Sequence, residues 1–102
     1  YQNGERPEGS RTTLFERGDR YETPYAEEII QKYLDLAKEV NIDPVTMALS
    51  FVNHQKFVTS NIIGATSMEQ LKIAIDSQEV TLSKEIIKEI NAIHISSPNP
   101  CP

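Results

Sequence analysis

The chain has 102 residues, a net charge of −5, 38% hydrophobic residues and 25% charged residues. This length and composition suit one small globular domain, and the acidic charge disfavours nucleic-acid binding, which needs a basic surface. No apolar run approaches the ~20 residues of a membrane span. The single cysteine, Cys101, excludes an internal disulfide and is typical of a reducing compartment, so we expect a cytoplasmic protein.

Residues 1–22 show little periodicity and contain several glycine and proline residues, which predicts an irregular loop. All four arginines of the chain fall within its first 20 residues: Arg6, Arg11, Arg17 and Arg20. A loop of this length is unusual at the edge of a compact domain and is typical of a functional segment or of part of a larger fold. The start at Tyr1, without an initiator methionine, agrees with an expectation of a truncated chain, although processing of the N-terminus would also explain it.

Four helices are predicted after this loop, and each has a capping residue at its start. The first begins at Thr23-Pro24 and is closed by Asn41, and the second begins at Asp43-Pro44. The third begins at Ser67 and the fourth at Ser83. The apolar residues that we expect to face inward, in chain order, are Ile29, Ile30, Tyr33, Leu34, Ala37, Val40, Met47, Ala48, Phe51, Val52, Leu71, Ala74, Ile75, Ile86, Ile87, Ile90 and Ile93.

Residues 57–63 predict a strand, since they are rich in β-branched side chains and are followed by Gly64. A strand leaves its N–H and C=O groups unpaired unless other strands accept them, and the chain offers no second convincing strand. A lone strand between helices is typical of one unit of an alternating α/β fold. The pattern therefore indicates an α/β structure whose other strands lie outside this chain.

The junction between this strand and the third helix is the most informative place for chemistry. Gly64 permits close approach of a ligand to the backbone, and a helix N-terminus presents free N–H groups to a phosphate. In eight-stranded α/β barrels, phosphate sites often follow the seventh and eighth strands. A purely structural interpretation is also open, because Ser67 with Gln70, or Thr66 with Glu69, forms a capping box that needs no ligand.

Several segments resemble the aldo-keto reductase superfamily, in particular its branch of Tas-like bacterial proteins and potassium-channel β-subunits. The matching stretches keep the order and spacing of that family over essentially the whole chain. They are Gly9-Ser10-Arg11 with Thr13-Leu14-Phe15, residues 41–49, residues 63–71, Leu82-Ser83 with the following helix, and residues 98–102.

The resemblance implies the C-terminal fragment of a (β/α)8 TIM barrel, mostly helical within this chain, from an oxidoreductase that reduces aldehydes or ketones with NADPH. Residues 23–95 then hold the helices and the last barrel strand, and residues 96–102 form a proline-rich tail. Tyr1 would lie just beyond the seventh strand. The family's four catalytic residues would all lie outside the chain, so we expect no catalytic residue in it, no metal site, and no activity of the chain alone.

The residues implied for the adenosine and 2′-phosphate side of the cofactor site are Arg11, Gly64, Ala65, Thr66 and Gln70. The sequence departs from the family pattern at Ile73 and Ala74. At these two positions the family often has a glutamate and an asparagine that contact adenine. Loss of this polar pair predicts weak or absent NADPH binding by the chain.

The remaining aromatic and histidine residues are interpreted without a functional role. Tyr25 and Tyr33 are expected to pack in helices, since large amphipathic rings usually go to cores. His54 and His94 show no ligand spacing and suit helix ends.

A second function is open besides the reductase. The alternative is a non-catalytic helical remnant. In it a binding partner, most simply another copy of the chain, covers the apolar helix faces in place of barrel strands. The test that separates the two is cofactor binding or carbonyl reduction against concentration-dependent association.

Overall fold

A computed structural model describes Glu8 and residues 25–100 of the chain. Within these residues the chain forms four α-helices: α1 (Ala26–Glu39), α2 (Pro44–Asn53), α3 (Met68–Asp76) and α4 (Lys84–Ser96). A 3₁₀ helix, Ser77–Glu79, follows α3 directly. The four predicted helices are therefore present, in the predicted order.

Helix α1 ends where the sequence predicts. Asn41 adopts a left-handed conformation with φ of 56°, which asparagine tolerates better than most residues. The N–H of Ile42 donates to the carbonyl of Ala37 at 2.9 Å, and the N–H of Asn41 donates to that of Lys38 at 3.2 Å. This pair of bonds is the Schellman motif, which satisfies carbonyls that a helix end leaves without partners.

Among the described residues, helix α1 begins at Ala26 with Tyr25 in the N-cap position, and the Tyr25 side chain makes no capping hydrogen bond. The predicted cap and first residue, Thr23 and Pro24, lie outside the described residues.

The other three helix starts are capped as predicted. The carboxylate of Asp43 accepts hydrogen bonds from the backbone N–H groups of Val45 and Thr46, both at 3.1 Å. The hydroxyls of Ser67 and Ser83 each accept the N–H three residues further on, at 3.2 and 3.3 Å. Each bond satisfies one of the free donors of a helix N-terminus, which fixes where the helix begins.

The core is shared by α1, α2 and α4. Its buried side chains are Leu36, Ala37, Met47, Leu82 and Ile90. The predicted inward positions Ile86, Ile87 and Ile93 pack against it, as do Tyr33 and Phe51. Burial also raises the pKa of the Tyr33 hydroxyl, because the charged form would lose its hydration. Helix α3 contributes no buried residue.

Some residues that were predicted to face inward are exposed. Tyr25 is 68% exposed, and Ile30, Ala48, Val52 and Ile75 are also exposed. On α2, Ser50 is buried one turn beyond Met47, so that face is partly polar. The described residues leave Val52 37% exposed and Ile75 56% exposed.

The predicted strand over residues 57–63 is wrong for this structure. After α2 the chain makes a turn in which the N–H of Val58 donates to the carbonyl of Gln55 at 3.1 Å, and residues 58–67 then run without regular structure. Among the described residues no strand forms. The physical reason is that a strand needs a neighbouring strand for its backbone hydrogen bonds, and the described residues supply none. The described part of the chain is therefore helical rather than α/β.

Candidate cofactor site

The predicted site residues, except for one, lie at the start of α3. Gly64, Ala65 and Thr66 come directly before the N-cap Ser67, and Gln70 lies in the first turn of the helix. All four are exposed. Arg11, the predicted contact to the 2′-phosphate, lies outside the described residues.

Gln70 and Thr66 bind each other. The side-chain oxygen of Gln70 accepts the N–H of Thr66 at 2.8 Å and its hydroxyl at 3.2 Å, while Ser67 accepts the N–H of Gln70. The arrangement is a capping box shifted by one residue, because Gln70 reaches the residue before the N-cap rather than the N-cap itself. The backbone N–H and the hydroxyl of Thr66 are both engaged within the chain.

Gly64 leaves free space at the end of the extended segment. A Cβ atom built on Gly64 would meet no atom within 4 Å. The packing of the described residues therefore does not require a glycine here. The open space is what a backbone needs if a ligand is to approach it closely.

A surface groove of about 530 Å³ brings part of the predicted site together. Gly64 and Gln70 line it together with Ile73 and Ala74, the two positions of departure from the family pattern. The rest of the lining is aliphatic and comes from α2 and from the extended segment before Gly64: Val45, Leu49, Ile62 and Ile63. The groove lies within the usual size of ligand pockets, about 300–1,000 Å³, and its lining is mainly apolar. Ala65 and Thr66 do not line it.

The one cation of α3 is paired within the helix. Lys72 donates to the carboxylate of Asp76 at 2.8 Å, one turn further on. This hydrogen bond and the negative charge of Asp76 raise the pKa of Lys72. The charge of Lys72 is therefore paired within α3.

A polar network joins α2 to the segment that carries the site, and sequence reasoning missed it. The amide of Asn53 bonds to Asn61 and to Ser77, each at 3.1 Å, and the hydroxyl of Ser50 donates to the Ser77 carbonyl at 3.0 Å. Ser50 and Ser77 are fully buried. A signal was available in the sequence: Met47, Ser50 and Asn53 are spaced three residues apart. This spacing places the two polar side chains on the same buried face of α2 as Met47.

The histidines lie at helix ends, as predicted. His54 caps the C-terminus of α2, with its Nδ1 atom 2.9 Å from the carbonyl oxygen of Ser50, and His94 lies in the last turn of α4. In the part of the chain that the structure describes, no cluster of three or more His, Cys, Asp or Glu side chains could hold a metal ion. Nor does this part contain a helix of the length and apolarity that a membrane crossing requires.

Comparison with known proteins identifies the family to which this chain belongs. The sequence model of the Aldo/keto reductase family matches residues 1–95, so the chain belongs to that family. The resemblance inferred from the motifs is thereby confirmed.

Individual relatives support the same assignment. The chain is 42% identical over all 102 residues to Protein tas of Escherichia coli (strain K12) and, equally, to that of Shigella flexneri. It is also 36% identical over 64 residues to the "Uncharacterized oxidoreductase YrpG" of Bacillus subtilis (strain 168), a match that covers 63% of this chain and 20% of that protein. The chain spans only 30% of the length of the two Tas proteins.

Proposed function

We propose that this chain is the C-terminal part of a (β/α)8 barrel oxidoreductase that reduces aldehydes or ketones with NADPH. In this proposal it contributes the adenosine and 2′-phosphate side of the cofactor site. Membership of the family supports the reaction class, and one relative is itself called an oxidoreductase. The coverage of 30% of the Tas proteins supports a role as one part of a larger barrel.

The observation that carries the proposal is the groove at the N-terminus of α3. It joins the open backbone at Gly64 to Gln70, and the first turn of the helix offers a positive dipole end to an anion. We assign Gly64, Ala65 and Thr66 to the turn that approaches the adenosine. Gln70 packs against the same end of the cofactor, and Arg11 contacts the 2′-phosphate or stacks on adenine, as a guanidinium can do both.

The hydrogen bonds between Gln70 and Thr66 affect how a cofactor binds. A phosphate oxygen that takes the Thr66 donors has to displace the Gln70 oxygen from both of them. The exchange conserves the number of hydrogen bonds at Thr66, so its net cost is small. Displacement of Gln70 then frees its side chain for the adenosine end.

The half-buried side chains Ile73 and Ala74 give the groove an apolar floor. Adenine held there gains apolar contact but loses the hydrogen bonds that a glutamate and an asparagine would make. We therefore propose that the chain alone binds NADPH weakly or not at all. Tight binding in the longer protein depends on contacts from Arg11 and from the rest of the barrel.

NADPH, when bound, supplies the hydride for carbonyl reduction. We assign no catalytic residue to this chain, and its role is to bind and orient the cofactor. The catalytic groups belong to the part of the barrel that this chain does not include.

The exposed apolar side chains favour a larger assembly. Ile62 is 95% exposed and Phe57 is 84% exposed, both in the segment that the sequence predicts as a barrel strand. Neighbouring strands would cover this segment and would supply its backbone hydrogen bonds. The alternative function, a non-catalytic helical module that associates with itself, rests on the same exposed residues.

Two measurements decide between these functions. An immunoblot of the source cells with an antibody to this chain is expected to show a band well above 11.5 kDa, and that gene product is expected to reduce aldehydes or ketones with NADPH. A band at 11.5 kDa from a protein that self-associates and lacks activity would instead support the helical module. The cytoplasmic location stays a prediction from the single cysteine.

A further inference from the structure

Asn53, the last residue of α2, bridges two points that are distant in sequence. Its side-chain N–H donates to the hydroxyl of Ser77 at 3.1 Å, and its side-chain oxygen accepts an N–H of Asn61 at 3.1 Å. Asn61 lies 8 residues after Asn53, and Ser77 lies 24 residues after it. One amide thus holds both ends of the segment between Asn61 and Ser77.

The hydroxyl of Ser77 determines which hydrogen-bonding groups the side chain at position 53 needs. This hydroxyl donates its proton to the carbonyl of Ala74 at 2.6 Å, so it faces Asn53 as an acceptor. Asn61, in contrast, presents a donor to Asn53. Position 53 must therefore donate on one side and accept on the other, which an amide does and a carboxylate does not.

Ser77 is anchored to α2 a second time. The hydroxyl of Ser50 donates to the Ser77 carbonyl at 3.0 Å, and both residues are fully buried. Hydrogen bonds between buried groups hold geometry strictly, since breaking one leaves a desolvated polar atom without a partner. The end of α3 is therefore fixed to α2, and Asn53 extends that fixed point to Asn61.

The segment between the two bridged residues contains all the described residues that the sequence predicts for the cofactor site. Asn61 lies three residues before Gly64, and Ser77 directly follows α3, which carries Gln70. Within the described residues, the segment from Asn61 to Thr66 has no regular structure. Its end is held to α3 by the hydrogen bonds between Thr66 and Gln70, and its start is held by the bond between Asn53 and Asn61.

We propose that Asn53 is a positioning residue for the cofactor site, which it serves through Asn61 and Ser77 without touching the cofactor. The proposal rests on the proposed function of this site. Asn53 ties Asn61, which leads into the turn at residues 64–66, to Ser77 at the C-terminal end of α3, so that the turn and the helix meet the cofactor in one arrangement. Supporting side chains of this kind are what keep binding groups within the small tolerance that affinity requires.

The test is a titration of the natural-length gene product with NADPH, followed by the fluorescence of the cofactor. Asn53→Asp keeps the acceptor for Asn61 but places a carboxylate against the acceptor face of Ser77. We expect the Kd for NADPH to rise about tenfold, with the number of binding sites per total chain in the sample unchanged. Hydrogen–deuterium exchange of residues 61–66 is expected to become faster in the same variant.

The matched control is Gln55→Glu, the same change from amide to carboxylate two residues away. The Gln55 amide donates to the carbonyl of Phe51 and not to the segment between Asn61 and Ser77. This control is expected to keep the wild-type Kd. If Asn53 has a structural role alone, Asn53→Asp lowers the number of binding sites and leaves the Kd unchanged, and that result overturns the proposal.

A milder variant covers the case in which Asn53→Asp does not fold. Asn61→Ala cuts one arm of the bridge and leaves Ser77 in place, so we expect a rise in Kd of about threefold. An unchanged Kd in Asn61→Ala contradicts the positioning role. Failure of the proposed function is a separate result, since the wild-type protein itself would then not bind NADPH.

Discussion

The side-chain oxygen of Gln70 accepts two hydrogen bonds from Thr66, one from its N–H at 2.8 Å and one from its hydroxyl at 3.2 Å. Two residues proposed for the cofactor site therefore satisfy each other's hydrogen bonds. The same contact completes the capping arrangement of α3, in which Ser67 accepts the N–H of Gln70, so the observed capping role and the proposed cofactor role of Gln70 belong to one side chain. A substitution that keeps one role and removes the other can separate them.

Gln70→Glu is predicted to separate these two roles. Glutamate keeps an acceptor for Thr66 and adds a negative charge to the first turn of α3, which stabilises a helix by about 0.3–1 kcal/mol. The free energy of unfolding is therefore expected to stay equal or to rise. The Kd for NADPH is expected to rise about tenfold, because the new charge repels the anionic cofactor.

Urea unfolding and an NADPH titration of the natural-length gene product measure the two effects. Gln31→Glu, an equal change of charge on the exposed face of α1, is the control and should leave the Kd unchanged. Equal affinity of Gln70→Glu and wild-type protein would remove Gln70 from the cofactor site and leave it as a cap alone.

Gly64→Ala is predicted to affect the ligand and not the fold. The added Cβ atom meets nothing within 4 Å, and alanine reduces the entropy of the unfolded chain, so the free energy of unfolding should stay constant or rise by about 0.4–1 kcal/mol. A cofactor that crosses the backbone at Gly64 would meet the new methyl group, and its Kd should rise. Titration and unfolding of the same preparation check this, and an unchanged Kd would mean that the cofactor does not approach Gly64.

Ile62→Asp tests whether the exposed apolar segment is covered in the longer protein. Ile62 is 95% exposed among the described residues, and a substitution at a true surface position changes the free energy of unfolding by less than about 0.5 kcal/mol. Burial against barrel strands would instead make the charge cost about 3 kcal/mol or more. We expect the larger value in urea unfolding of the natural-length product, with Ile62→Val as the mild control. A small effect of the aspartate would show that this segment stays exposed.

Asn41 offers a test of the described fold itself. Its φ of 56° costs little for glycine and about 1–2 kcal/mol for an ordinary L-residue. Asn41→Gly should therefore keep or raise the free energy of unfolding, whereas Asn41→Ala should lower it by about 1 kcal/mol. Chemical denaturation of the two variants compares them directly. Equal stability of the alanine and glycine variants would be incompatible with a left-handed residue at this helix end.

The features that sequence predicted well are the local ones. Asp43, Ser67 and Ser83 cap helices because their acceptors need only the N–H groups two or three residues ahead. Asn41 ends α1 for an equally local reason, its tolerance of positive φ. Signals of this kind lie within a few residues of the chain and do not depend on the rest of the molecule.

The features that sequence did not predict depend on distant partners. The strand expected over residues 57–63 needs neighbouring strands, and the exposed side chain of Ile75 needs a surface to pack against. The bridge from Asn53 to Ser77 joins residues 24 apart, which no local pattern encodes. For the same reason, the sequence predicted Gly64 and Gln70 as site residues but not the groove that they share. Nothing in the sequence indicated that Val45 and Leu49 also line this groove.

The most direct test of the central claim is a titration of NADPH into two proteins, the natural-length gene product and the isolated 102-residue chain. Our account predicts saturable binding to the longer protein and weak or no binding to the isolated chain, because the groove supplies only one side of the cofactor site. Absence of binding to the natural-length product would contradict the assignment of these residues to a cofactor site. Tight binding by the isolated chain would contradict the claim that the site is incomplete without the rest of the barrel.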